Sequence, residues 1–183
     1  MKNKEEILIA GSGGQGVLSA GKILAQSAVE QDKCVTYYPS YGAEIRGGTA
    51  NCAVIISDRE IASPIISLPT VLLIFNMPSY RKFGNNIAKN GLIILNSSLC
   101  NIDEVKPVKT DCSIIRIPAT TIAQGIGDVR CANLVMLGSV IKITGILEKE
   151  SIEKSIEIFF KAKKDLIKLN LEALHKGIDY KII

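Results

Sequence analysis

Short, almost wholly apolar runs alternate along this chain with longer stretches whose apolar residues recur every three or four positions. The runs are Ile7-Leu8-Ile9-Ala10, Val35-Thr36-Tyr37-Tyr38, Asn51-Cys52-Ala53-Val54-Ile55-Ile56, Val71-Leu72-Leu73-Ile74-Phe75, Leu92-Ile93-Ile94-Leu95 and Ser113-Ile114-Ile115-Arg116-Ile117. Each has strand length, and the Asn51 to Ile56 run is rich in β-branched residues. Pro39 is expected to stop the second run. Helical spacing is read over Val17 to Glu30, Ser79 to Lys89, Cys131 to Ile143, and Glu150 to about Lys176, the last as one long helix or two broken ones. The stretch around Leu134 to Ile141 is apolar on every side, so it must be buried in its own fold or against another chain, with Gly138 allowing close approach of a neighbour.

Runs that are apolar on both faces belong at the centre of a helix-covered sheet. Their order predicts an α/β fold: a three-layer α/β/α sandwich with a mostly parallel central sheet, a Rossmann-like first βα unit and room for an antiparallel element around Asn51 to Ile61. With 183 residues, no repeat and no linker-like tract, the expectation is one domain over 1–183.

The junction after the first strand carries the first candidate chemistry. Gly11-Ser12-Gly13-Gly14-Gln15-Gly16 leads from strand to helix, where glycines let a ligand approach the backbone and the opening amides of a helix can receive an anion. The alternative is a tight turn whose glycines serve only backbone geometry. A dinucleotide fold would end its second strand on an acidic residue for the ribose. This strand ends Tyr37-Tyr38-Pro39-Ser40, and Asp32 precedes it, at the wrong end. NAD and FAD are disfavoured accordingly.

The second candidate is Tyr41-Gly42-Ala43-Glu44-Ile45-Arg46-Gly47-Gly48. Between its glycines, Glu44 and Arg46 offer a carboxylate and a five-donor guanidinium two positions apart, on one side only if the segment is extended. Arg46 could meet a phosphate, a carboxylate or a partner chain, with Glu44 orienting a neighbouring group; a local ion pair is the bland reading.

Taken together, the Gly-Gly-Gln-Gly turn, Tyr41 to Gly48, Ile56-Ser57-Asp58 with Ile61, Asn133-Leu134-Val135-Met136-Leu137-Gly138, and Asn170-Leu171-Glu172-Ala173-Leu174 with Gly177 resemble the gamma subunit of 2-oxoacid:ferredoxin oxidoreductases over nearly the whole chain. Ala43 stands where many members carry proline. Gly47-Gly48-Thr49 is more similar to the 2-oxoglutarate and branched-chain types than to the pyruvate type, and Tyr41-Gly42 differs from the His-Gly of the indolepyruvate relative.

The resemblance implies an accessory subunit in the oxidative decarboxylation of a 2-oxoacid, 2-oxoglutarate first, with coenzyme A and ferredoxin. It implies partners of alpha, beta and delta (ferredoxin-like) type that hold thiamine diphosphate, Mg2+ and iron–sulfur clusters. For this chain it implies a contribution to coenzyme A binding from Gly11, Ser12, Gly13, Gly14, Gln15, Gly16, Tyr41, Gly42, Glu44, Arg46, Gly47 and Gly48. The alternatives are an independent nucleotide-binding oxidoreductase and a non-catalytic scaffold.

Composition narrows the field further. Hydrophobic residues make up 47% and charged residues 22%, as in ordinary globular domains. Lys plus Arg exceeds Asp plus Glu by 22 to 18 without a dense basic block, too dilute an excess for nucleic acid. The polar start Met1-Lys2-Asn3-Lys4-Glu5-Glu6 lacks the apolar core of a signal peptide, and a cytoplasmic protein without a membrane partner is expected. Cys34, Cys52, Cys100, Cys112 and Cys131 contain no Cys-x-x-Cys pair, so reduced thiols are expected and no metal site is assigned. His175 is the single histidine and lies far from any candidate nucleophile. No catalytic residue is assigned.

Overall fold

A computed structural model describes residues 4–40, 49–105 and 111–181. In chain order the elements are β1 (Lys4–Ser12), α1 (Val17–Val29), β2 (Cys34–Ser40), β3 (Thr49–Ser57), β4 (Val71–Ile74), α2 (Met77–Phe83), β5 (Leu92–Asn96), β6 (Ser113–Ile117), α3 (Ala119–Ile126), α4 (Ala132–Thr144), α5 (Lys149–Phe159) and α6 (Lys164–Asp179). Short 3-10 turns at Ile102–Glu104 and Val129–Cys131 complete the set.

The strands form one six-stranded sheet in the order β2-β3-β1-β4-β5-β6. β1, β4, β5 and β6 run parallel, and β3 is antiparallel to both β1 and β2. The mostly parallel sheet and its antiparallel element thus match expectation. The Rossmann-like start differs in one respect: β2 is not the neighbour of β1, because β3 lies between them and moves β2 to the edge. That edge position also explains why β2 continues through Pro39, which pairs with Cys52, instead of stopping before it; an edge strand can lack one N–H on its open side.

Alternation along the strands divides the core. Ile7 and Ile9 of β1, Cys52, Val54 and Ile56 of β3, and Val71 and Leu73 of β4 face the layer built from α1 and α3 to α6. Leu72 and Ile74 of β4 and Ile93 and Leu95 of β5 face the other side, beneath Tyr80 of α2 with Ile87, Cys100 and Val105. All of β4 is buried, as a central parallel strand requires.

Several helices depart from their expected bounds. α2 is short because it ends at Gly84, whose N–H closes onto Tyr80 O at 2.7 Å. The C-terminal periodicity resolves into two helices, α5 and α6, broken between Phe159 and Lys164. α3 was absent from the periodic pattern; at eight residues, with Ala119 and Ala123 as its buried positions, it is shorter than the window over which helical periodicity is read. In α4, every residue from Ala132 to Ile141 is buried. Its cover comes from this chain, since Gly138 lies directly against the backbone of α6 at Leu174 and Gly177.

No described helix is long and apolar enough to cross a membrane.

Candidate functional site

The glycine-rich turn joins β1 to α1. Gly11 and Ser12 are the last residues of β1, Gln15 N–H donates to Ser12 O at 3.2 Å, and Gly16 O accepts the first helical bond from Ala20 N–H at 2.9 Å. Gly14 has φ +85° and Gly16 φ +72°, left-handed conformations that favour glycine. Gly16 also has no room for a side chain, because a Cβ would stand 2.5 Å from Asn133 Nδ2. Gly13 is different: its φ is outside the left-handed region, and a Cβ there would meet nothing within 4 Å. Nothing in the described structure demands glycine at that position.

α1 leaves β1 toward one face of the sheet, and α2 leaves β4, the parallel neighbour of β1, toward the other. The gap between their carboxyl ends is the switch point where ligands of open α/β sheets bind. Asn76, two residues beyond β4, spans it. Its Nδ2 donates to Ser12 Oγ at 2.8 Å and Gln15 Oε1 at 2.7 Å, while its Oδ1 caps α2 by accepting from Ser79 N–H at 3.0 Å. Gln15 Oε1 also accepts from Ser12 N–H at 2.7 Å.

A second asparagine repeats this arrangement one strand over. Asn96 closes β5, donates from Nδ2 to Thr120 Oγ1 at 2.8 Å, and accepts from Ser98 and Thr120 N–H at 3.3 Å each. Ser12, Asn76, Asn96 and Thr120 thus line the carboxyl edge of the parallel strands with hydrogen-bonded polar groups.

Cavities flank the turn on two sides. One of about 360 Å³ is lined by Ser12, Gly13, Gly14, Ser19 and Ala50. Another of about 210 Å³ is lined by Gly14, Gly16, Arg130, Asn133, Phe160 and Asn170. Asn133 ties α4 to the turn by donating to Gly16 O at 3.2 Å. The Arg130 guanidinium, three-quarters exposed, pairs with Asp128 at 2.6 Å, and its hydrogen bond holds the Asp128 carboxyl below the usual carboxylate range. Beside them Cys131 is buried, which pushes its thiol up to about 11, so it stays protonated near neutrality. Lys82 of α2 reaches the far side of the turn region and donates to Thr49 Oγ1 at 3.1 Å.

Of the residues singled out in the sequence, Gly11, Ser12, Gly13, Gly14, Gln15 and Gly16 lie together at this switch point. Tyr41, Gly42, Glu44, Arg46, Gly47 and Gly48 lie outside the described residues. Their flanks converge on the same place: Ser40 pairs with Asn51, and Thr49 pairs with Ser12. His175 is elsewhere, 2.5 Å from Glu153 Oε1, linking α6 to α5. Among the described residues no group of three or more His, Cys, Asp or Glu could hold a metal ion.

Sequence reasoning missed Asn76, Asn96, Lys82 and Arg130. For the asparagines a signal exists: Ile74-Phe75-Asn76 and Ile94-Leu95-Asn96 both end an apolar run on Asn.

The pyruvate ferredoxin/flavodoxin oxidoreductase family model matches residues 6–180. The chain is 38% identical over 176 residues to ketoisovalerate oxidoreductase subunit VorA of Methanothermobacter marburgensis; the match takes in 95% of this chain but only 36% of VorA. It is 35% identical over 181 residues to 2-oxoglutarate synthase subunit KorC of Methanocaldococcus jannaschii, covering 98% of this chain and 95% of KorC. The solved gamma subunit of a keto/oxoacid ferredoxin oxidoreductase from Geobacter sulfurreducens superposes with a TM-score of 0.82 at 28% identity, over 96% of both chains. Fold, strand-to-helix turn and near full-length matches agree: the chain belongs to the pyruvate ferredoxin/flavodoxin oxidoreductase family.

Proposed function

We propose that this chain is the accessory gamma subunit of a 2-oxoacid:ferredoxin oxidoreductase and that its glycine-rich turn helps to bind coenzyme A. The overall reaction cleaves the bond between the carboxylate and carbonyl carbons of the oxoacid, releases carbon dioxide, joins the acyl group to the coenzyme A sulfur as the thiol proton is lost to solvent, and passes the electron pair to ferredoxin. Thiamine diphosphate supplies the carbanion chemistry in such a reaction and iron–sulfur clusters carry the electrons. We assign these groups, with Mg2+, to alpha, beta and delta-type partners. VorA supports a partner-dependent role, since this chain corresponds to only about a third of it.

The observation that carries the coenzyme A reading is Gly13. Its backbone is unstrained and its Cβ direction open, so a glycine there is explained by a group from outside the described residues coming close to the backbone. The helix amides and the nearby Arg130 and Lys82 favour a negatively charged group. In the assembled enzyme, Gly13→Val should raise the KM for coenzyme A while leaving assembly intact. An unchanged KM would remove the turn from the coenzyme A site.

The choice of oxoacid belongs to the partners. VorA and KorC are named for different oxoacids, yet their identities to this chain are 38% and 35%. The Gly47-Gly48-Thr49 segment makes 2-oxoglutarate the first substrate to assay, with branched-chain oxoacids second.

A further inference from the structure

The hydrogen bonds around Asn76 have a direction that two backbone groups fix. Ser79 N–H can only donate, so the Asn76 atom 3.0 Å from it is the oxygen, and the Asn76 nitrogen is left to donate to Ser12 Oγ and Gln15 Oε1. Ser12 N–H likewise can only donate, so the Gln15 atom 2.7 Å from it is the oxygen. Both ends of the chain of bonds give the same orientation to both amides, with no freedom to flip either.

The consequence lies in what remains. Gln15 Oε1 receives two donors, and its Nε2 has no partner among the described residues. Ser12 Oγ accepts from Asn76, which leaves its hydroxyl hydrogen free to donate. The half-buried amide of Gln15 is held over the gap between β1 and β4, beside the opening amides of α1. The side-chain donors left there are the Gln15 Nε2 amide and the Ser12 hydroxyl hydrogen.

We infer that Asn76 is a positioning residue, which locks the Gln15 amide so that its Nε2 donates to an anionic oxygen of the bound co-substrate, and that Gln15 is the contacting residue. The inference rests on the coenzyme A reading above and extends it from the backbone of the turn to two side chains, one of them far away in sequence. The ligand group is a phosphate oxygen of coenzyme A.

The test uses the enzyme assembled with its partner chains. Gln15→Glu keeps an oxygen for Ser12 N–H and Asn76 Nδ2 but replaces the outward donor by an acceptor. Asn76→Asp keeps the cap on α2, since Asp caps as well as Asn, but cannot donate to Gln15. Each should raise the KM for coenzyme A by about tenfold or more, the scale of losing a charge-assisted hydrogen bond. The kcat at saturating coenzyme A and the KM for the oxoacid should stay within about twofold. Because Asn76 is buried, Asn76→Asp could fail to fold; Gln15→Glu, at a half-exposed position, then decides alone. An unchanged coenzyme A KM in Gln15→Glu overturns the inference when Gly13→Val still raises that KM. If Gly13→Val and Arg46→Ala leave it unchanged as well, the coenzyme A reading itself is overturned.

Discussion

Gly138 of α4 and Gly177 of α6 meet with no space between the helix backbones. A Cβ on Gly138 would fall onto Leu174 O and one on Gly177 onto Val135 O, both far inside van der Waals contact. Ser139 Oγ sits in the same crossing, donating to Val135 O at 3.2 Å and Gly177 O at 3.3 Å. The obstacle on each side is main chain, which cannot rotate away. Gly138→Ala or Gly177→Ala should therefore cost about 1–3 kcal/mol or more, read as a lower denaturant midpoint with an unchanged m-value. A midpoint equal to the parent would mean that α4 and α6 are farther apart in solution.

The glycines of the turn should separate by experiment. Gly13→Ala introduces no clash and no strain, so its stability should stay within about 0.5 kcal/mol of the parent. Gly14→Ala forces a side chain into φ +85° and should cost about 1 kcal/mol. Thermal melts of the two variants give the comparison. Equal losses in both would mean that Gly13 also serves the fold.

Thiol reactivity should follow burial. Cys34 is exposed, whereas Cys52, Cys100 and Cys131 are buried, and burial pushes their thiols up to about 12, 11 and 11. At neutral pH, limited alkylation followed by peptide mapping should label Cys34 well before these three, which become reactive only on unfolding. Early labelling of Cys131 would show that the segment between α3 and α4 opens readily.

Acid should weaken the α5–α6 contact. Burial acts to raise the Glu153 pKa, but the hydrogen bonds from His175 and Lys149 outweigh it and leave the carboxyl lowered from 4.5. A carboxyl with a lower pKa folded than unfolded stabilises the fold above the unfolded value, and that contribution is lost as pH falls through the folded one. Glu153→Gln should flatten this part of the stability profile below about pH 4.5. An identical acid limb in parent and variant would show that the contact contributes nothing.

The strands β1, β3, β4 and β5 were legible because each carries an apolar run of four residues or more, and β4 could be read from Val71-Leu72-Leu73-Ile74 alone. Sheet order was not, because the placement of β3 beside β1 depends on long-range pairing such as Ile7 with Val54, which no local pattern encodes. The glycine-rich half of the candidate site was visible as spacing. Asn76 was not: it follows β4 as one polar residue after an apolar run, and its meaning appears only when β4 comes to lie beside β1 and brings it to Gln15. α4 read correctly as all-apolar, but whether its cover was internal turned on Gly177, nearly forty positions further along.

The antiparallel pairing of β1 with β3 acts as a ruler. It runs unbroken from Lys4 opposite Ser57 to Ser12 opposite Thr49, so one residue inserted or deleted within β3 would either turn its buried side chains outward or shift Thr49 away from Ser12. Length variation among related chains should therefore collect in 58–70, between β3 and β4, and spare 49–57. A constraint on the turn is in this way passed along a whole strand, to residues as far away as Ser57.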